Sequence, residues 1–373
     1  MPNFIEKEFK MIISKQKMID HWFWTRYSIN PYNGCLFGCS YCDARSAKYH
    51  MPLDFENEIL VKKNVKELLS QQIRSSRSFE KDIVGIGGVT DSYQPAEQIY
   101  RNTRGVLEVL AKHSFPVHLI TKSTRVLEDQ FLLQKIAQQN YCTLSITITT
   151  IDGELGKFLD FRAPSPIKRL EVIRIIKKST PEVQCGALMI PLVPFFGDDE
   201  MRLEKYFQAV KETGADYILF GGGMTLRDQQ ALFFLKKIKE KFPHLIPEYE
   251  KLYKFTYNEN KYRGEYVPDE KYLIEKHQLL FELSKKYEIP FRIKRFIPND
   301  FRGENYKVAE KLFQESFFNQ MSTGKNWEHL FWTAHDIQNL KSPIRTLAQM
   351  GMLDTIKNMR GDVLEKVKII LEA

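Results

Sequence analysis

Asn30 to Arg45 reads NPYNGCLFGCSYCDAR, and this stretch decides how the rest of the chain is read. It sets Cys35, Cys39 and Cys42 as C-x3-C-x2-C in a loop carrying Gly34 and Gly38, directly after a β-like run at Thr25 to Ile29. Thiolates are soft ligands suited to zinc or to iron–sulfur clusters. The glycines let the loop fold tightly and turn backbone amides toward cluster sulfurs, where hydrogen bonds help set the reduction potential. Three readings of the triplet compete. A structural zinc site needs four protein ligands, and the paired C-x2-C…C-x2-C spacing is absent, so His50, Cys142 or Cys185 would have to complete it. A lone histidine such as His50 is more often solvated than ligating. A ferredoxin-type cluster normally takes four cysteines, and Cys142 and Cys185 both open strand-like runs far from the triplet. A cluster held by only three thiolates leaves one iron open, which is what separates a catalytic metal site from a closed structural one.

Outward from this loop, short β-like runs alternate with helical periodicity from about Trp24 to Lys241, the pattern of repeated β/α units around a parallel sheet. Six strands are expected: Thr25 to Ile29, Asp82 to Gly87, Pro116 to Thr121, Thr143 to Thr149, Gln184 to Val193 and Asp216 to Phe220. Between them, Asn64 with Glu67 reads as a capping-box variant and Ser165-Pro166 as N-cap plus first-turn proline. Apolar stripes at Val65, Leu68, Leu69 and Ile73, and at Ile99, Thr103, Val106, Leu107 and Leu110, are expected to lie against the sheet. Beyond Phe242 come a Tyr- and Lys-rich stretch, an expected last strand at Pro290 to Phe296, and a helix-rich tail from about Asn305 to Ala373. Trp327, Phe331 and Trp332 fall at helical spacing and are expected in a core.

These signals give an α/β fold, an incomplete (β/α)6 TIM-type barrel with a helix-rich C-terminal extension. The divisions are an N-terminal arm over residues 1–22, the barrel over 23–241, and an extension over 242–373 that closes it and could bind substrate. Such a barrel gathers its site from loops at the C-terminal ends of its strands. The expected strand ends carry that chemistry: the cysteines after the first, Gly87-Gly88-Val89-Thr90-Asp91 after the second, Thr121-Lys122-Ser123 after the third and Thr149-Thr150 after the fourth. Pro194 and Gly197 follow the fifth, and Gly221 to Gly223 the sixth. The GIGG run is not a dinucleotide fingerprint, because Thr90 stands where the last glycine belongs.

A chain of 373 residues, 43% hydrophobic and 13% aromatic, can bury a sizeable core. Its five cysteines are odd in number and sparse, three of them within eight positions, unlike a secreted disulfide framework. With no signal-peptide core and no membrane-length apolar run, a cytoplasmic protein is expected. The net charge of +8 favours acidic partners, although surplus lysine most often marks a solvated face. Lys251, Tyr253, Lys254, Phe255, Tyr257, Lys261, Tyr262, Arg263 and Tyr266 interleave cations with aromatics as single-strand grooves do, so nucleic acid stays open as a partner.

The triplet, with Tyr41 immediately before its third cysteine, resembles the signature of the radical S-adenosylmethionine (radical SAM) superfamily. VTDSYQPAE, LITKS, SITITTID and FRAPSPIKRL, in that order, are similar to motifs of its spore photoproduct lyase-like branch, so the resemblance runs from about Tyr27 to Asp199. It implies a [4Fe-4S] cluster on Cys35, Cys39 and Cys42, and S-adenosyl-L-methionine chelating the open iron. One electron from an external flavodoxin- or ferredoxin-like donor would cleave the sulfonium, and the 5'-deoxyadenosyl radical would abstract hydrogen from substrate. By the same resemblance Tyr41, Gly87, Gly88, Asp91, Lys122 and Ser145 would hold the cofactor, Asp91 substituting for the acidic residue replaced by Val89. Arg162 and Arg169 flank the APSP turn, where one could meet an anion; Arg169 is otherwise expected on the surface. The branch's thiol hydrogen donor has no counterpart, because Gly88 stands at that position. The alternatives are a zinc- or Fe-S-containing protein that binds nucleic acid or carries electrons without catalysis.

Overall fold

The computed structural model describes residues 2–52 and 54–372. Its strands are β1 (Asn3–Lys7), β2 (Ile13–Lys15), β3 (Tyr27–Ile29), β4 (Tyr32–Asn33), β5 (Glu58–Lys62), β6 (Val84–Ile86), β7 (Val117–Thr121), β8 (Cys142–Thr147), β9 (Gln184–Met189) and β10 (Ile218–Phe220). The main sheet runs β10-β9-β8-β7-β6-β3-β2. The six strands from β10 to β3 are mutually parallel, and β2 adds to the edge in the antiparallel sense. This is a partial barrel whose sheet is not closed. A second sheet, β1-β5-β4, pairs the start of the chain with the segment that follows the cysteine loop.

Strands β7 to β10 are buried on both faces, and the two faces differ. Leu119 of β7, Leu144 and Ile146 of β8, Cys185, Ala187 and Met189 of β9, and Ile218 and Phe220 of β10 join one apolar cluster with helix residues Val106, Leu107, Leu110 and Ile173. Full burial of one such side chain stabilises by about 1.5–3 kcal/mol. The alternate residues, His118 on β7, Thr143, Ser145 and Thr147 on β8 and Gln184 on β9, point the other way by the period of two, and bonds between His118 and Ser145 and between Gln184 and Thr143 link them inside the barrel.

The helices seat their stripes with one exception. Thr103, Val106, Leu107 and Leu110 are buried, whereas Ile99 is 64% exposed. Arg101 adopts φ 51° and divides the segment into helices Glu97–Tyr100 and Asn102–Lys112, which turns Ile99 out of the stripe. Asn64 does not act as the expected cap: it sits at φ 50° and its side chain makes no cap bond. Pro166 does occupy the first turn of helix Pro166–Ser179, but Ser165 gives no side-chain bond to it.

The chain divides into two units, Met1–Ile293 and Lys294–Ala373. The boundary expected after residue 241 falls inside the first. No strand forms at 290–296. Beside β10 the chain offers the Pro290 carbonyl to the Ile218 amide, and proline has no N–H with which to continue a ladder. The second unit is helical, with helices Arg302–Ser322, Glu328–Gln338, Ile344–Gln349 and Asp362–Glu372. Helix Glu328–Gln338 buries Leu330, Thr333, Ala334, Ile337 and Gln338. Trp332 lies on the opposite side, 45% exposed, so it is not the core residue its spacing implied. No helix among the described residues is long and apolar enough to cross a membrane.

Candidate active site

A cavity of about 400 Å³ opens where the parallel strands end. Every one of them contributes. Cys35, Cys39, Tyr41 and Cys42 come from the loop after β3, Gly87 to Asp91 from β6, and Ile120, Thr121 and Lys122 from β7. Thr147 comes from β8, Ile190 and Pro191 from β9, and Gly222, Gly223 and Thr225 from beyond β10. The mouth of the barrel thus collects short, small or polar residues that the strand bodies exclude.

The cysteine loop is fixed from three sides. Gln94, in the loop after β6, accepts from the Leu36 amide and donates to the Gly34 carbonyl, both at 3.0 Å. The Ser40 amide donates to the Leu159 carbonyl at 2.8 Å. Gln230 donates to the Tyr41 carbonyl at 3.2 Å, and Arg227 pairs with Asp43. Gly34 is required at its place: at φ +88° a Cβ would strike the Glu58 carbonyl oxygen. The loop holds three free thiols, Cys35 and Cys39 buried and Cys42 partly so. Burial pushes the Cys35 thiol up to about 12 and raises those of Cys39 and Cys42. Among the described residues no three His, Cys, Asp or Glu side chains are grouped as ligands of a single metal ion.

Charge enters the cavity through Lys122, whose ammonium lies 5.5 Å from the centre of the Tyr41 ring. Burial works against that charge, but the neighbour that is ionised, the Asp160 carboxylate, helps hold the lysine above its ordinary value. Asp160 pairs with Arg169 at 2.8 Å, both buried. Burial would raise the Asp160 carboxyl; Arg169 and Lys122 overcome this and hold it below the usual carboxylate range. Arg169, expected on the surface, is 1% exposed and also donates to the carbonyls of Thr147 and Pro164 at 3.0 and 2.7 Å. It therefore ties the end of β8 to the APSP turn. Arg162 remains exposed and donates to Glu56 and Asn57.

The structure brings Tyr41, Gly87, Gly88, Asp91 and Lys122 to the cavity with the cysteines. Asp91 is occupied: it accepts from the Thr121 hydroxyl and the Lys122 amide, both at 2.7 Å, and so clamps the β6 and β7 ends together. Gly87, at φ +86°, lies so near β7 that a Cβ would strike the Ile120 carbonyl oxygen, whereas a Cβ on Gly88 would meet nothing within 4 Å. Ser145 does not line the cavity. Its hydroxyl lies 2.7 Å from both His118 Nε2 and the Tyr217 hydroxyl, one layer deeper in the barrel, and Thr147, two residues on and on the same face, reaches the cavity instead. Burial lowers His118 to about 4. The sequence reading singles out none of Asp160, Gln94 and Thr147, although Gln94 and Thr147 lie within the VTDSYQPAE and SITITTID motifs.

Residues 29–206 match the family model described as the radical SAM superfamily. Uncharacterized proteins of Mycobacterium bovis and Mycobacterium tuberculosis are 28% identical over 247 residues, 65% of this chain and 69% of theirs. One of Methanocaldococcus jannaschii is 27% identical over 176 residues, 47% of this chain and 63% of that one. Among solved structures, spore photoproduct lyase complexed with dinucleoside spore photoproduct superposes with a TM-score of 0.56 at 14% identity, covering 76% of this chain and 79% of that one. A cysteine-to-serine mutant of that lyase gives 0.56 at 15% identity, with the same coverage of 76% and 79%.

Proposed function

We propose that this chain, whose residues 29–206 belong to the radical SAM superfamily, holds its [4Fe-4S] cluster on Cys35, Cys39 and Cys42 and binds S-adenosyl-L-methionine in the cavity beside them. Superfamily membership supports reductive cleavage of S-adenosylmethionine by radical chemistry, fed by an external electron donor. The observation that carries the site assignment is the meeting of three free thiols, a lysine ammonium and a glycine-rich strand end in one cavity. The donor set fits both groups. The thiols are soft ligands, the buried Tyr41 hydroxyl has no hydrogen-bond partner among the described residues, and Gly88 leaves its side of the cavity open. When bound, cluster and cofactor supply one-electron cleavage of the sulfonium and a hydrogen-abstracting 5'-deoxyadenosyl radical.

The protein's own groups do the holding. Three thiolates leave one coordination position for the cofactor's amino and carboxylate groups. The Lys122 ammonium is the partner for that carboxylate, and Asp91 positions it by fixing its backbone amide. Gly87 and Gly88 offer backbone to the cofactor amino group, and Tyr41 walls the cavity. Ser145 acts from the layer below, through His118 and Tyr217. Because metal binding deprotonates thiols that burial keeps neutral, cluster assembly should release protons and weaken as pH falls.

One observation favours a nucleic-acid substrate and a lyase-like reaction. Lys251, Lys254, Lys261 and Arg263 surround a cavity of about 750 Å³ together with Phe255 and Tyr257, and Glu250 is the only carboxylate among the described residues that line it. This segment is bonded to the mouth: Tyr249 donates to the Pro194 carbonyl, Tyr253 to that of Met224, and the Leu226 amide to that of Tyr266. Cations for phosphates and rings for bases are what a single strand requires. Gly88 carries no thiol, so hydrogen return to a product radical would need another donor. Formation of 5'-deoxyadenosine by reduced, reconstituted protein should be compared with irradiated DNA, undamaged DNA, tRNA and a small-molecule extract. Stimulation by a nucleic acid is expected; stimulation by the extract alone would reject that substrate, and no 5'-deoxyadenosine in any arm would reject the enzyme reading.

A further inference from the structure

Phe37 stands in a wall between two cavities. It lies between Cys35 and Cys39, is 4% exposed, and among the described residues is the one that lines both the cysteine cavity and a second of about 490 Å³. The second cavity lies along the continuations of the same loops after β6 and β7, with Tyr93 in its lining and Arg125, Arg162 and Lys168 around it. Glu128 is the single carboxylate among the described residues there, and it forms an exposed i,i+3 pair with Arg125 at 3.0 Å, a weak contact. Arg162 gives its hydrogen bonds to the Glu56 carbonyl and Asn57, and its nearest carboxylate oxygen is 3.9 Å away. Lys168 makes no ion pair among the described residues, so the collar is basic.

The same segment exposes two large apolar side chains, Phe161 at 45% and Ile167 at 74%. They flank the cavity in sequence without lining it, and exposed apolar side chains beside arginine suit a protein partner. Phe37 borders both this cavity and the one that holds the thiols, so the collar adjoins the cysteine loop.

We propose that the Arg125, Arg162 and Lys168 collar over Phe37 is the docking surface for a small acidic one-electron carrier protein of the flavodoxin or ferredoxin class. One electron leaves the carrier's reduced centre, crosses the wall formed by Cys35, Phe37 and Cys39, and reduces by one electron the centre held by the three thiols. No proton moves and no covalent bond forms or breaks in that step. The inference rests on the radical SAM reading above, and its test separates the two.

Reconstituted holoenzyme would be compared with the double variant Arg125→Glu and Lys168→Glu, with Lys168→Glu alone, and with Lys112→Glu as a reversal elsewhere on the surface. Two readouts apply: the Kd for oxidised flavodoxin or ferredoxin, and the rate of visible bleaching after mixing with the reduced carrier or with dithionite. The double variant is expected to weaken carrier binding and slow carrier-driven bleaching about tenfold or more, with a shallower salt dependence than wild type. The Lys168 variant should fall between, Lys112→Glu should match wild type, and dithionite should bleach all four at one rate. Unchanged carrier binding and bleaching in the double variant would overturn the proposal, as would a wild type that accepts electrons from dithionite and from neither carrier. Absence of iron, or failure of dithionite to bleach wild type, would instead overturn the radical SAM reading.

Discussion

The five cysteines occupy two ends of one barrel, and their acidity does not tell the ends apart. Burial pushes Cys35 at the mouth and Cys142 at the floor to the same value, about 12. Their surroundings differ. Cys142, first in β8, and Cys185, second in β9, lie on the faces that pack against the helices, inside the apolar cluster. Cys35, Cys39 and Cys42 border a cavity with Lys122 beside them and glycine backbone opposite. The lesson is that a thiol becomes a candidate ligand through the space and charge next to it, not through its own burial.

The largest expected contrast comes from removing one thiol at each end. Cys39→Ala should lose iron and all 5'-deoxyadenosine formation, while Cys142→Ala should keep both and lose only about 1 kcal/mol of stability; iron content and urea midpoints measure the two effects. An iron-loaded Cys39 variant would erase the distinction between mouth and floor. Next in size is Asp160→Asn, which strands the Arg169 guanidinium beneath the mouth and should cost about 3–5 kcal/mol in a denaturant titration. A loss under about 1 kcal/mol would mean the pair does not brace the site.

Between mouth and floor His118, and in the segment before β3 His21, are lowered by burial from the ordinary 6.5 to about 4. The unfolded chain takes up these protons near pH 6.5 and the folded protein only near pH 4. Stability is therefore full above about pH 6.5 and falls as pH drops toward 4, by about 3 kcal/mol for each histidine. His118→Gln should flatten roughly half of that slope in unfolding free energies measured across the window. Within the mouth itself, Gly87→Ala should destabilise by about 1–3 kcal/mol and Gly88→Cys by no more than about 0.5 kcal/mol. Equal effects at the two glycines would show that the approach of β6 to β7 is looser than the geometry implies.

Strand positions were legible because Val, Ile and Thr runs recur between amphipathic helices, and all six expected parallel strands are present within a few residues. The site's neighbourhood was legible because glycine, lysine and cysteine cluster at strand ends. The sidedness of the strands was not: every residue of β8, CTLSIT, is buried, so no alternation of exposure separates the polar interior from the helix-facing side. The Asp160–Arg169 pair was hidden for the same reason, since an arginine tolerates burial only with a partner that tertiary packing supplies. Pro290 to Phe296 misled by its alternation: the Pro290 carbonyl accepts from the Ile218 amide of β10, but no strand follows it.

The claim that three thiols leave a coordination position for the cofactor is tested most directly by magnetic resonance on the reduced, reconstituted protein, with S-adenosylmethionine carrying 15N in its amino group. The account predicts a cluster signal that shifts when the cofactor is added and acquires coupling to the label. A signal left unchanged, or a colourless zinc-bearing protein with no cluster signal at all, would contradict it.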